Sequence, residues 1–111
     1  MTEGSPFRYE IENSADQTRD NRVTTVRCHG RLVGETASEL KKVVKPLLAQ
    51  GGRFIIDLGG VNYLDSSGLG ALVGLKISAV NQGLCILHFE NMTPRLLELM
   101  RLTGLAQLMS S

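Results

Sequence analysis

Tryptophan is absent from this 111-residue chain, and only three phenylalanines and two tyrosines supply aromatic rings. So few rings leave little to stack on bases, which argues against a surface for single-stranded nucleic acid. An excess of charge is missing too: 12 Lys and Arg against 11 Asp and Glu give a formal charge of +1. A chain this close to neutral sets up no global field to draw in nucleic acid or an anionic membrane. Lys41, Lys42 and Lys45 form the one local basic run and read as the wet face of a helix.

No apolar run approaches the length that spans a bilayer, and the polar start Met1-Thr2-Glu3-Gly4-Ser5 lacks the basic and hydrophobic regions of a signal peptide. The expectation is a cytoplasmic protein with no direct membrane insertion. Cysteine is scarce as well. Cys28 and Cys85 fall in predicted strands, with no C-x-x-C and no nearby His pair. Both read as small buried hydrophobes, and no metal or other cofactor is expected.

What the chain does contain is enough for one ordinary core: 42% of its residues are apolar, and a domain of this size buries roughly two-thirds of its unfolded surface. Residues 1–6 read as a loose segment and residues 7–111 as a single domain. Phe7, Tyr9 and Ile11 alternate with Arg8, Glu10 and Glu12, the period of a half-buried strand. Arg22 to His29, with β-branched Val23, Thr24, Thr25 and Val26, is its expected antiparallel partner across a polar turn from Asn13 to Asn21.

From Glu35 to Gln50, Ala37, Leu40, Val44 and Leu47 recur on one helical face. Pro46 lies inside that pattern and should bend the helix or advance its end. Phe54 to Leu58, between two Gly-Gly pairs, suits a central strand covered on both faces. A second helix is expected over Ser67 to Gln82, a strand over Leu84 to Phe89, and a last helix opening at Thr93-Pro94 and ending at Gly104. Alternating strands and helices imply right-handed crossovers and a largely parallel inner sheet.

Two adjacent hydroxyls, Ser66 and Ser67, stand where the segment Val61 to Leu64 turns into the second helix. The first amides of a helix lack intrahelical acceptors and carry the positive end of its dipole, so an anion there is stabilised. Ser66 reads as the N-cap and Ser67 as the first helical residue. A serine in that place has two states: bare, it satisfies an orphan amide; phosphorylated, it carries nearly two negative charges on an exposed turn. Along the same helix Gly70, Gly74 and Ser78 make a stripe poor in side chains. It reads as close packing against the sheet or the third helix, with partner docking as the alternative. Leu69 falls with Leu72, Val73 and Val80 on one face, and Leu75 points away from it.

Several segments in order carry a family resemblance: Gly30-Arg31-Leu32 ending a strand, Thr36-Ala37 opening a helix, Phe54-Ile55-Ile56-Asp57-Leu58, Tyr63-Leu64-Asp65-Ser66-Ser67-Gly68-Leu69, and Gly104-Leu105. Over roughly residues 22 to 109 the chain resembles the STAS domain family, the bacterial anti-sigma-factor antagonists. The resemblance implies an α/β fold with a mixed sheet of four to five strands, a parallel centre and an antiparallel edge, packed by three to four helices. It implies a binding module rather than an enzyme. Unphosphorylated, such a module sequesters an anti-sigma factor with serine kinase activity; phosphorylation releases the partner and a phosphatase resets the switch.

The resemblance places the phosphorylated residue at Ser66, with Ser67 the second candidate, and the partner surface at Asp65, Ser66, Ser67, Gly68, Leu69, Gly30 and Glu35. Sporulation-type members usually carry an acidic residue directly after the Gly-x-Leu segment; here Val33 stands there, and Glu35 follows two residues later. The same fold also serves as a subunit of stress-signalling or lipid-transporter complexes. A small serine hydrolase, with Ser66 as nucleophile and His88 as its base, is the enzymatic alternative. It lacks the Gly-x-Ser-x-Gly elbow and offers little pocket for a small-molecule substrate. Gly68-Leu69-Gly70 lacks the lysine and spacing of a phosphate-binding loop.

Overall fold

The alternating N-terminal residues form β1 (Arg8–Ala15), antiparallel to β2 (Arg22–Leu32), with Tyr9 opposite Cys28 and Ile11 opposite Val26. The computed structural model describes residues 7–15, 22–83 and 85–104. The segment 1–6 expected to be loose, most of the first turn, Leu84 and Leu105 lie outside them. The chain continues through α1 (Gly34–Leu48), β3 (Gly52–Leu64), α2 (Ser66–Gln82), β4 (Cys85–Glu90) and α3 (Pro94–Leu102). The four strands lie in the order β1-β2-β3-β4, and β2, β3 and β4 are mutually parallel. The mixed sheet with an antiparallel edge is therefore as expected from the sequence.

One face of the sheet carries the core. Val26, Cys28, Phe54, Ile56, Leu58 and Leu87 are buried on it beneath Leu40 and Val44 of α1, Leu72 and Leu75 of α2, and Leu96 and Met100 of α3. Each such side chain contributes about 1.5–3 kcal/mol through burial. The opposite face carries a charged row beside Ile55 and Ile86: Glu10, Arg27, Asp57 and Glu90 stand side by side across the four strands. Arg27 Nη1 lies 2.7 Å from Glu12 Oε1 and Arg27 Nε 3.8 Å from Asp57 Oδ2. The Arg27–Glu12 pair, with both side chains largely exposed, adds little stability. The expectation of a central strand covered on both faces is thus half right, because β3 is covered on one.

β3 does not stop at Leu58. It runs on through Gly59 and Gly60 to Leu64, so that glycine pair is a close approach and not a terminus. A Cβ on Gly60 would strike the imidazole Nδ1 of His29 and lie 2.8 Å from the Cys28 carbonyl oxygen. The β2–β3 register shifts at this point, between Arg27 and His29 and again between Gly30 and Arg31. Gly30 takes φ 98° there, a conformation that costs glycine nothing. β2 continues past His29 to Leu32 by the same irregularity.

α1 begins at Gly34 and buries Ala37, Leu40, Val44 and Leu48, with Leu47 half-buried. Pro46 lies in its last turn, so the helix ends at Leu48, earlier than the expected Gln50. At its start the Thr36 hydroxyl accepts the Val33 N–H at 2.9 Å and lies 2.8 Å from the Arg31 carbonyl. That contact ties the end of β2 to the first turn of α1.

α2 presents a different face from the one expected. Gly68, Ala71, Leu72, Leu75, Lys76 and Ala79 are buried, whereas Ile77 is 44% and Val80 60% exposed. Leu75 therefore points into the core and Val80 out of it. The helix is apolar nearly all round, so its periodicity does not single out a buried side. Lys76 enters the core side because its Nζ donates to the Leu87 carbonyl at 2.7 Å. Burial shifts this ammonium downward from its ordinary value.

Candidate partner-binding site

The end of β3 delivers the chain to α2 at the carboxyl edge of the sheet, where sites form in open α/β folds. Asp65 has extended dihedrals (φ −109°, ψ −171°) and its Oδ1 accepts the Gly68 N–H at 2.9 Å. Its carbonyl accepts the first helical bond, from Leu69 N at 2.9 Å. Asp65 is therefore the N-cap, and Ser66 is the first helical residue. The expected assignment, with Ser66 as cap, is off by one. Aspartate and serine cap equally well, and the dihedrals that decide between them are set by the strand before.

This shift changes what Ser66 does. Ser66 and Ser67 are both exposed, and among the described residues the Ser66 hydroxyl takes part in no hydrogen bond. With the cap supplied by Asp65, the Ser66 hydroxyl stands unused at the helix start.

Gly68 holds the turn against β2. A Cβ on it would overlap the Leu32 carbonyl oxygen and lie 3.2 Å from Leu64 Cγ, and the Asp65 N–H reaches the same carbonyl at 3.5 Å. Only a residue without a side chain lets α2 begin this close to β2. By contrast, a Cβ on Gly70 or Gly74 would meet nothing within 4 Å. The glycine stripe is thus not the expected tight packing against sheet or helix; its two glycines face open space beside exposed Ile77 and Val80.

The remaining expected residues take different places. Leu69 is half-buried against the core. Glu35 is exposed in the first turn of α1, which starts at the same sheet edge because β2 and β3 are parallel neighbours. Gly30 pairs with Val61 inside the sheet, four residues upstream of Asp65. The structure brings Asp65, Ser66, Ser67 and Gly68 together with the Leu32–Glu35 connection and leaves Gly30 behind it. His88 is exposed on β4 in register with Ile55, flanked along the strand by buried Leu87. It therefore lies on the face of the charged row, opposite the helices, and no hydrogen bond joins it to Ser66.

Three features of the structure go beyond what the sequence leads one to expect. The Arg31 guanidinium lies over the Tyr63 ring, 4.6 Å from its centroid, on paired residues of β2 and β3. Asp57 Oδ1 accepts the Gly59 N–H at 2.9 Å and the Asn91 amide at 3.0 Å, clasping β3 to the turn before α3. These bonds and nearby Arg27 hold the Asp57 carboxyl below its ordinary range. Asn91 has φ 58°, and an asparagine just after a strand is the one sequence signal that could have marked this turn. Third, buried Lys76 was readable only as a charge out of place in an apolar helix.

Among the described residues no group of three or more His, Cys, Asp or Glu could hold a metal ion, and no helix is long and apolar enough to cross a membrane. Burial pushes the Cys28 thiol up to about 12.

Three kinds of likeness accompany this geometry. The sequence profile of the family described as "Mlab, STAS domain" matches residues 15–110. The anti-sigma-B factor antagonist of Staphylococcus aureus is 35% identical over 95 residues, covering 85% of this chain and 87% of that protein. Among solved structures, an anti-sigma factor antagonist from Mycobacterium paratuberculosis superposes with a TM-score of 0.71 at 22% identity, covering 94% of this chain and 85% of the other. The unphosphorylated anti-sigma factor antagonist SpoIIAA gives 0.68 at 19%, covering 90% and 84%. At such identities the structures speak for the fold alone, while the profile and the Staphylococcus relative speak for descent. With its strand order, its glycine-tight α2 start and these matches over most of its length, the chain belongs to the STAS domain family.

Proposed function

We propose that this protein is an anti-sigma-factor antagonist that works in the cytoplasm as a phosphorylation-switched binding module. The observation that carries the reading is the exposed, unbonded hydroxyl of Ser66 at the first position of α2, next to a cap already supplied by Asp65. A kinase can take that hydroxyl without unmaking the turn. The relatives named anti-sigma-B factor antagonists support the partner class.

In its bare form the α2 start, with Asp65, Ser66, Ser67, Leu69 and the neighbouring Glu35, docks on an anti-sigma factor with serine kinase activity. ATP and magnesium belong to that kinase. A phosphoryl group on Ser66 adds close to two negative charges beside Asp65, so the packed interface suffers repulsion and desolvation and opens. The helix itself tolerates the phosphate, because anions at its first turn are favoured by the dipole. Hydrolysis by a phosphatase restores binding. Ser67, also exposed, is the second candidate acceptor.

The test is binding of Ser66→Ala and Ser66→Asp to the cognate anti-sigma factor: the first should bind constitutively and the second poorly. A subunit role in a stress-signalling or lipid-transporter complex is the second reading. Co-purification of transporter subunits in place of a kinase would select it.

A further inference from the structure

The extension of β3 beyond Leu58 does more than carry the chain to Ser66. Between it and α3 lies a cleft of about 240 Å3. Its floor is made by Leu58, Val61 and Leu96, all core residues, and its walls by Leu64 and Leu99. The cleft therefore opens directly onto the hydrophobic core.

Its polar lining residues are Asn62, Tyr63, Thr93 and Arg95, of which all but Thr93 are exposed. The Thr93 hydroxyl accepts the Leu96 N–H at 3.2 Å and keeps its own proton to donate. Arg95 lines the cleft, is exposed, and makes no ion pair among the described residues. Tyr63 lines it too and carries the Arg31 guanidinium over its ring. No lining residue is acidic. A mostly apolar chamber with a guanidinium free of ion pairs among its lining residues has the form of a small-molecule site.

We propose that this cleft binds a small amphiphilic anion: an unbranched acyl chain with one carboxylate or phosphate head. Charge complementarity selects the head, since a guanidinium pairs with either group in bidentate fashion. Volume selects the tail. At roughly 30 Å3 per water-sized unit the cleft holds about eight such units, the size of a chain of about eight carbons. Leu64 immediately precedes Asp65, so the occupant rests against the strand end that sets the Ser66 turn. The site does not depend on Ser66 being phosphorylated.

The experiment is a titration of the full-length, isotope-labelled protein with octanoate, octyl phosphate and 1-octanol, followed by amide chemical shifts. Octanoate or octyl phosphate should give saturable shifts centred on residues 58–64 and 93–99. Shortening octanoate to hexanoate should weaken binding about fourfold per methylene removed. Arg95→Gln, an exposed substitution that leaves the fold intact, should weaken the anions about tenfold and leave octanol unchanged. Leu99→Trp should block all three by filling the wall.

The proposal is overturned if neither anion gives saturable shifts up to about 10 mM, if the shifts map elsewhere, or if octanol binds as tightly as the anions. Because no partner protein is present, its failure is separate from any failure of the Ser66 switch.

Discussion

Gly68 and Leu32 meet so closely that a methyl group on the glycine would overlap the leucine carbonyl oxygen. This one contact sets where α2 starts, and so where Ser66 stands. Gly68→Ala must push α2 away from β2, at about 1–3 kcal/mol. Gly70→Ala and Gly74→Ala meet open space, so each should stabilise the helix by about 0.5–1 kcal/mol. Denaturant unfolding of the three variants checks the contrast. Similar destabilisation by all three would contradict this account of the glycines.

Asp65 is the cap, not Ser66. Asp65→Ala should therefore cost about 0.5–2 kcal/mol through the lost bond to Gly68 N–H, whereas Ser66→Ala should change stability by no more than about 0.5 kcal/mol. Thermal melts of the two variants decide between the residues.

Asp57 clasps β3 to the Asn91 turn, and its folded pKa is depressed below the ordinary 3.8. A depressed carboxyl stabilises the fold above its unfolded pKa and loses that contribution as pH falls through the folded value. Asp57→Asn should lower the Tm near neutral pH, and the gap to the wild type should close as the pH falls below 3.8. A gap that is constant across that range would assign the effect to shape and not to charge.

Cys28 is fully buried with its thiol pushed up to about 12, while the thiol of half-buried Cys85 is also raised by burial. The thiolate is the reactive form. In the native protein at mildly alkaline pH, alkylation should reach Cys85 well before Cys28, as read by peptide mass spectrometry; equal rates would contradict the buried position of Cys28.

The Asp65–Leu69 turn was legible because residue types alone mark a helix start, and the order of strands and helices was legible because turn residues separate them. The cap was misplaced by one residue because two good capping residues are adjacent and only the incoming strand's dihedrals choose between them. Gly59 and Gly60 look like a stop in the sequence; Gly60 permits a close crossing with His29 and Cys28, and Gly59 a close approach of Asn91, long-range facts with no local signal. The buried side of α2 was illegible because Leu69, Leu72, Val73, Leu75, Ile77 and Val80 surround the helix. What decides among them is the sheet below and the Lys76 bond to β4. The Arg31–Tyr63 stack and the Asp57–Asn91 clasp join residues far apart in sequence, which no periodicity announces.

The central claim is that the free hydroxyl of Ser66 is the switch. The direct measurement is the affinity of the cognate anti-sigma kinase for wild type, Ser66→Ala and Ser66→Asp, with phosphosite mapping after incubation with ATP and magnesium. The account predicts a single phosphoryl group on Ser66, tight binding by Ser66→Ala under phosphorylating conditions, and binding by Ser66→Asp weakened at least about tenfold, the ~1.4 kcal/mol or more expected of a charge placed in a packed interface. Equal affinities for the two variants, or phosphate found only elsewhere, would contradict it.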